Sequence, residues 1–307
     1  DRIDVEIRVL AAEKKPLGQW MSVHLHHAAE MVPARVVLLG DPPAPDGAAD
    51  VQLVLERPIA AAAGDRFVLR DVAETRNIGG GRFIDLRPPE RKRRTAERAR
   101  VRDAWRQVDD AAALAGLAAE PPGFVDLGRF LADRGLDAGD GPTLCVAACV
   151  SGLTVDGRVH VASGTTLAGL GEGVVAALDR HHRDMPDEPG LGLERLRRTV
   201  APKLSAPLFR AVLRRLQASG TVVLDGAWVR TAGHSVALTP EDDRLWGEIR
   251  PLVSGPERFR PPRVRDIARL LDCEEEAVRR LFRRLQRAGR VDEVAHDHFF
   301  LRGTIAE

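Results

Sequence analysis

Histidine, cysteine, glycine and arginine supply the groups in this chain that could do chemistry. Val23-His24-Leu25-His26-His27 puts His24 and His26 on one face of an extended segment, the start of a metal grip. No Cys, Asp or Glu stands near them in sequence to complete it, so an exposed polar strand face accounts for the pattern better. Cys145 and Cys149 lie four apart on one helical face and read as small core residues; Cys273 stands alone. His181-His182 ends a helical segment, where a cationic ring suits the dipole. Gly79-Gly80-Gly81 lies within a strand pattern with no helix after it, so it serves a bulge or close backbone approach, not a dinucleotide. None of the four lysines (Lys14, Lys15, Lys92, Lys203) follows a glycine, which excludes a Gly-x-x-x-x-Gly-Lys phosphate loop. The chain is therefore expected to be no enzyme, to hold no cofactor or metal, and neither to bind nor to hydrolyse GTP.

Arginine is the remaining chemistry. Residues 82–106 hold ten basic and four acidic side chains, with Arg91-Lys92-Arg93-Arg94 at the centre. Two readings stand about even: a solvated linker running into a helix, or a patch that faces phosphate.

Composition bounds what can carry these groups. With 307 residues the chain has room for two or more domains, and 44% hydrophobic residues can supply their cores. A net charge of +1 excludes a uniformly basic nucleic-acid coat and an acidic tail, while leaving local patches open. Three cysteines exclude a disulfide scaffold and favour a reducing compartment, so a cytoplasmic location is expected. No apolar run approaches the roughly 18 residues of a membrane span. Residue 1 already lies in an alternating strand pattern, so the chain reads as a piece of something longer. A single Asn and few lysines among many arginines and alanines look like nucleotide-composition bias.

Residues 1–90 predict a small all-β barrel. Ile3, Val5, Ile7 and Val9 alternate with polar residues, as do Met21, Val23, Leu25 and His27, and Val51, Leu53 and Leu55. Further strands are expected over 34–39, 67–70 and 77–85, separated by Gly40-Asp41-Pro42-Pro43, Asp46-Gly47 and Gly64-Asp65. Arg87-Pro88-Pro89-Glu90 closes the barrel, since proline cannot join a ladder.

The rest repeats. Phe282-Arg283-Arg284-Leu285-Gln286-Arg287-Ala288-Gly289 nearly copies Leu213-Arg214-Arg215-Leu216-Gln217-Ala218-Ser219-Gly220, 69 residues earlier, and a weaker copy ends at Gly152. Each copy reads as three helices and a β-hairpin, a winged helix. In the last, helices are expected over 241–253 and 264–271. A third is capped by Asp272 with Glu275 as a capping box, and buries Val278, Leu281, Phe282 and Leu285. A hairpin turning at His296-Asp297 follows. The middle copy has helices over 173–183, 193–199 and 207–219 and a hairpin turning at Asp225-Gly226. The first has helices over 96–108, 125–134 and 142–151 and a hairpin turning at Asp156-Gly157. The chain is thus expected to be multidomain: a barrel over 1–90, then three tandem α+β winged helices over 91–164, 165–236 and 237–307.

Charge divides the repeats. Residues 192–230 carry eight basic and two acidic side chains, and 258–290 carry eleven and five; 107–191 carry five and thirteen. Arg279, Arg280, Arg283, Arg284 and Arg287 lie opposite the buried face of the last helix, where a DNA reader would enter a groove. Glu274, Glu275 and Glu276 at its start would repel phosphate, which favours a solvated face over a reader.

These segments, in this order, resemble a known family. The carriers in the barrel are Val23-His24-Leu25-His26-His27, Val32-Pro33-Ala34-Arg35-Val36, Arg57-Pro58-Ile59, Gly64-Asp65-Arg66-Phe67-Val68-Leu69-Arg70-Asp71 and Ile78-Gly79-Gly80-Gly81-Arg82. Arg260-Pro261-Pro262-Arg263-Val264 and His298-Phe299-Phe300-Leu301 carry it near the end of the chain. Together they resemble the third domain and following winged helices of the bacterial selenocysteine-specific elongation factors, a domain itself similar to the third domain of elongation factor Tu. The family adds a GTPase domain, a second barrel and a fourth winged helix, so the chain is expected to be an interior fragment. GTP and magnesium would belong to the missing GTPase domain. The resemblance implies delivery of selenocysteinyl-tRNA to the ribosome at recoded UGA codons, with the mRNA selenocysteine insertion hairpin held mainly by the missing fourth winged helix. It implies no membrane partner, and a monomer is expected. This segment would supply a tRNA-facing barrel and a winged-helix spacer. The residues matching the RNA-approaching segment are Arg70, Arg76 and Arg82, with Arg91, Lys92, Arg93 and Arg94 added from the basic run. The competing reading is a winged-helix DNA-binding transcriptional regulator that uses Arg214, Arg215, Arg279 and Arg283.

Overall fold

Alternation along the first ninety residues closes into a barrel. The computed structural model describes residues 1–13, 16–186, 188–234, 238–256 and 258–306, so Lys14, Lys15 and the expected boundary at 236/237 lie outside the described residues. Strands β1 (Arg2–Val9), β2 (Ser22–His27), β3 (Glu30–Leu38), β4 (Ala48–Leu55), β5 (Arg66–Arg70) and β6 (Asn77–Asp85) pair antiparallel in the closed order β1-β4-β3-β2-β5-β6. Because strand side chains alternate, every second residue points inward. Val5, Ile7, Val23, Leu25, Val36, Val51, Leu53, Leu69 and Phe83 fill the interior, each almost wholly buried.

Gly79-Gly80-Gly81 is where β6 crosses its neighbours most closely. A Cβ on Gly81 would lie 1.8 Å from the carbonyl oxygen of Glu6, and one on Gly79 would lie 2.4 Å from that of Arg8. Only glycine lets β1 and β6 pair there. The close approach expected from the sequence is therefore present, and the β1–β6 register shifts between Asp4 and Val5.

After the barrel, α1 (Ala96–Arg106) is N-capped by Thr95, and α2 (Asp110–Ala119) is capped by Asp109. The sequence predicts one helix over 96–108 and none at 110–119. The second is hidden because Ala and Leu cover it all round, which leaves no polar face to mark a period. The first winged helix continues with β7 (Val125–Asp126), α3 (Leu127–Arg134), a 3₁₀ turn, α4 (Gly141–Ala147), β8 (Val150–Val155) and β9 (Arg158–Ser163). Its core is Ala113, Leu114, Leu127, Phe130, Leu131, Val150 and Val161.

The second unit begins within α5 (Gly164–Asp184), at Gly169. It holds β10 (Leu191–Gly192), α6 (Leu193–Val200), α7 (Ala206–Ala218), β11 (Val222–Asp225) and β12 (Trp228–Thr231), then α8 (Pro240–Ser254), α9 (Val264–Leu270), α10 (Glu275–Arg287), β13 (Val291–Ala295), β14 (His298–Leu301) and α11 (Arg302–Ala306). Two three-stranded sheets, β7-β9-β8 and β10-β12-β11, and the β13-β14 hairpin form the wings. The architecture is a barrel followed by three winged helices.

Some local expectations fail. Cys149, expected in the core on the same helical face as Cys145, is exposed beyond the end of α4 with a left-handed φ of 53°. Asp272 and Glu275 form no capping box: α10 starts two residues later, with Glu274 at its N-cap, and Asp272 takes a left-handed φ of 48° in the preceding turn. The end of α10 is as expected. Gly289 has φ 70°, its N–H bonds Gln286, and Arg290 N–H bonds the carbonyl of Leu285. The same closure recurs at Gly220 and Thr221 after α7.

Candidate nucleic-acid interface

Strand register sorts charge around the barrel. On the outer face of β6, β1 and β4, Asp4 stands opposite Asp85 and Gln52, and Glu6 stands opposite Asp50. On the outer face of β2, β5 and β6, Arg66 stands opposite Arg82, Val68 opposite Gly80 and His26, and Arg70 opposite His24.

The acidic face is covered by the chain's own arginines. Arg98 of α1 donates to Asp4 at 2.9 Å and to Asp85 at 2.7 Å. Arg102 pairs with Asp50 at 2.9 Å, and Arg106 pairs with the same carboxylate. Arg93 donates to Gln52 Oε1 at 3.2 Å, and Arg94 forks onto the Leu38 carbonyl at 2.8 and 3.0 Å. Arg87 reaches Asp133 on α3 at 3.0 Å. Burial pushes the Asp4 carboxyl above its ordinary range, with the Gln52 amide and Arg98 pulling against it. Most of the basic run therefore docks α1 and the first winged helix on the barrel. Arg91 and Lys92 differ: both are exposed and, among the described residues, have no ion-pair partner. Lys92 lines an open groove of about 510 Å³ with Trp20, a residue 51% exposed.

The hairpin between β5 and β6 divides its arginines the same way. Asp71 accepts from the Thr75 hydroxyl at 2.7 Å and from the Arg76 amide at 3.0 Å, and these bonds hold its carboxyl below the ordinary range. Arg70 donates to the Glu74 carbonyl, and Arg76 donates to buried Glu13 at 3.1 Å. His24 lies 3.1 Å from Glu74, a carboxylate its own sequence neighbourhood does not contain. Arg70 and Arg76 thus build the turn, whereas Arg82 is exposed with no carboxylate partner among the described residues.

Arg66 shares that condition, and sequence inspection misses it because cross-strand pairing cannot be read from the chain. Two arginines directly opposite on a solvated strand pair destabilise the sheet unless something anionic lies between them. Together with His26, Val68 and Gly81 they line an open groove of about 520 Å³. Nε2 of His26, shut off from solvent at the edge of this groove, has no hydrogen-bond partner among the described residues.

A metal site at the histidine triplet is not assembled. His27 turns inward, edge-on to Phe83, and the only three-residue group of metal-ligand type among the described residues is Glu293, His296 and Asp297. Asp297 there is already engaged by Arg279 at 2.9 Å.

The chain is similar to known proteins. Residues 4–90 match the model of the selenocysteine-specific elongation factor beta-barrel domain, and residues 175–230 match that of the elongation factor SelB winged helix. The selenocysteine-specific elongation factor of Escherichia coli is 30% identical over 95% of this chain and 45% of its own length. That of Desulfomicrobium baculatum is 23% identical over 99% of the chain and 48% of its own length. A crystal structure of bacterial selenocysteine-specific elongation factor EF-Sec aligns with a TM-score of 0.49 at 11% identity, over 98% of this chain and 54% of that one. The chain thus spans about half the length of the curated relatives it matches. No helix among the described residues is long and apolar enough to cross a membrane.

Proposed function

We propose, from the premise that this chain carries the barrel and winged-helix domains of the selenocysteine-specific elongation factors, that it is the RNA-facing half of such a factor. In this reading the barrel binds the backbone of selenocysteinyl-tRNA. The winged helices carry the factor across the ribosome towards the mRNA insertion hairpin, whose grip belongs to a fourth winged helix of the parent protein. GTP and magnesium act in the parent's GTPase domain, and this segment takes no catalytic step. The reading keeps the factor monomeric and cytoplasmic. The transcriptional-regulator alternative is not favoured, because the barrel matches a translation-factor domain.

One observation carries the assignment of the RNA face: Arg66 and Arg82 stand opposite one another, exposed and without carboxylate partners among the described residues, beside a shallow groove. Guanidinium groups so placed suit phosphate and 2′-hydroxyl contacts, which recognise shape rather than sequence. Arg91 and Lys92 extend the set; Arg70 and Arg76 position the hairpin; Arg93 and Arg94 hold the linker. The proposed contacts are thus Arg82 from the resemblance, Arg91 and Lys92 from the basic run, and Arg66 from the barrel's register.

Titration of the intact chain with tRNA across a range of salt tests this. Arg66→Ala with Arg82→Ala is expected to weaken binding and to reduce the salt slope by about 0.7–0.9 for each phosphate the protein no longer neutralises. An unchanged slope would remove this face from consideration.

A further inference from the structure

The second and third winged helices carry the same third helix 69 residues apart, so one serves as the other's control. In the third, two of the five arginines of α10, Arg279 and Arg284, are neutralised. Arg279 pairs with Glu275 at 2.7 Å, Glu276 at 3.5 Å and Asp297 at 2.9 Å, and Arg284 pairs with Asp242. In the second, Arg210, Arg214 and Arg215 occupy the places of Arg279, Arg283 and Arg284. The acids that pair with Arg279 have no counterpart beside Arg210. Ala206 and Pro207 stand where Glu275 and Glu276 do. The hairpins align through one shared bond: Leu193 N–H donates to the Ala227 carbonyl as Val264 N–H donates to that of Asp297. Ala227 therefore replaces Asp297.

All three arginines of α7 are exposed, and none of their side chains has a hydrogen bond or ion pair among the described residues. Arg210 and Arg214 lie one turn apart with Gln217 on the side opposite buried Leu208, Phe209, Val212 and Leu213. Like charges at that spacing oppose each other and weaken a helix, so stability does not account for them. The one carboxylate on neighbouring α6, Glu194, is spent on Arg197 and Arg198 at 2.7 and 2.9 Å.

We infer that this face of α7 binds the phosphate backbone of double-stranded RNA. A winged helix that reads DNA places polar side chains of its recognition helix's first turn on base edges. Here that turn is Ala206-Pro207-Leu208, with nothing to read a base, and the cations come later. Such a helix loses nothing against an RNA duplex, whose major groove side chains cannot reach and which is recognised by shape and backbone. The choice of RNA rests on the translation-factor reading above; the surface itself is separate from the barrel groove.

The test uses the intact chain and a labelled RNA duplex of about 16 base pairs, a length that spans two successive minor grooves. Binding is titrated against salt. Arg210→Ala with Arg214→Ala is expected to lower affinity about tenfold and the salt slope by about 1.8, or about 0.9 per phosphate. Ala206→Glu leaves both arginines in place but restores the carboxylate of the third repeat. It is expected to lower affinity severalfold with no fall in melting temperature, since an acid in the first turn, four residues before an arginine, favours the helix. Unchanged affinity in both variants overturns the inference, as does equal affinity for a DNA duplex of the same sequence. Each variant is also made in the Arg66→Ala, Arg82→Ala background. An effect there that matches the wild-type effect sustains the α7 surface on its own. If the barrel changes alone abolish duplex binding and the α7 changes add nothing, this inference falls and the barrel reading stands.

Discussion

Arg98 donates to Asp4 at 2.9 Å, and the Asp4 side chain has no surface left in contact with solvent. The acid lies on the outside of the barrel wall and is buried only because α1 docks there. Asp85 shares the same guanidinium. Arg98→Ala would leave two shielded carboxylates without their cation. It is expected to cost about 3 kcal/mol in urea unfolding, the low end for breaking a buried pair, because Arg98 retains a little exposure. Arg8→Ala, whose partner Asp46 is as open to solvent as itself, should change nothing measurable.

Gly81→Ala should be worse than its size implies. The added carbon would fall inside the Glu6 carbonyl oxygen, and backbone on both strands would have to move. About 3 kcal/mol of lost stability is expected, at the upper end for overpacking. Gly233→Ala, where nothing lies within 4 Å, makes the control. Parallel denaturant melts of the two variants would settle the difference.

His182 makes the second winged helix acid-sensitive. Its ring stacks on His234 at 3.6 Å, and burial, then His234 and His181, lower its pKa from 6.5 to about 4, against opposing help from Asp179. Arg230 adds to the lowering. The folded state thus holds this ring neutral where the unfolded chain protonates it. Stability is full above pH 6.5 and is lost as pH falls towards 4. Partial exposure limits the loss to about 1 kcal/mol. Melting temperatures over this range should fall for the wild type and stay flatter for His182→Gln.

The mRNA hairpin gives the sharpest negative expectation. Every cation proposed as a contact addresses backbone, so the chain should bind the insertion hairpin within about tenfold of an unrelated hairpin of equal length, or 1.4 kcal/mol. Gel-shift titration of both at physiological salt decides it. A larger preference would make one of these three winged helices a sequence reader.

Much of this fold is legible in the chain. Period-2 alternation marks three of the six barrel strands and turn residues bound the other three, while the 69-residue copy marks two winged helices. What escapes detection has no local signal. The helix at Asp110–Ala119 has no polar stripe. The arginines of residues 87–106 look free because Asp4, Asp50, Asp85 and Asp133, the acids that hold them, are mostly far away along the chain. Arg66 draws no notice for the opposite reason: its significance lies in facing Arg82, and register is set by closure of the barrel, not by neighbours in sequence.

The seam between barrel and first winged helix runs deeper than ion pairs. Ala63 N–H donates to the Asp133 carbonyl at 2.7 Å, while the Asp133 carboxylate takes Arg87. A single residue of α3 is thereby tied to two separate stretches of the barrel chain. Local opening of α3 must break the seam, and loosening of the barrel's end frees the helix. Amide protons on both sides should then exchange in one cooperative event, and the two domains should melt together as one foldon.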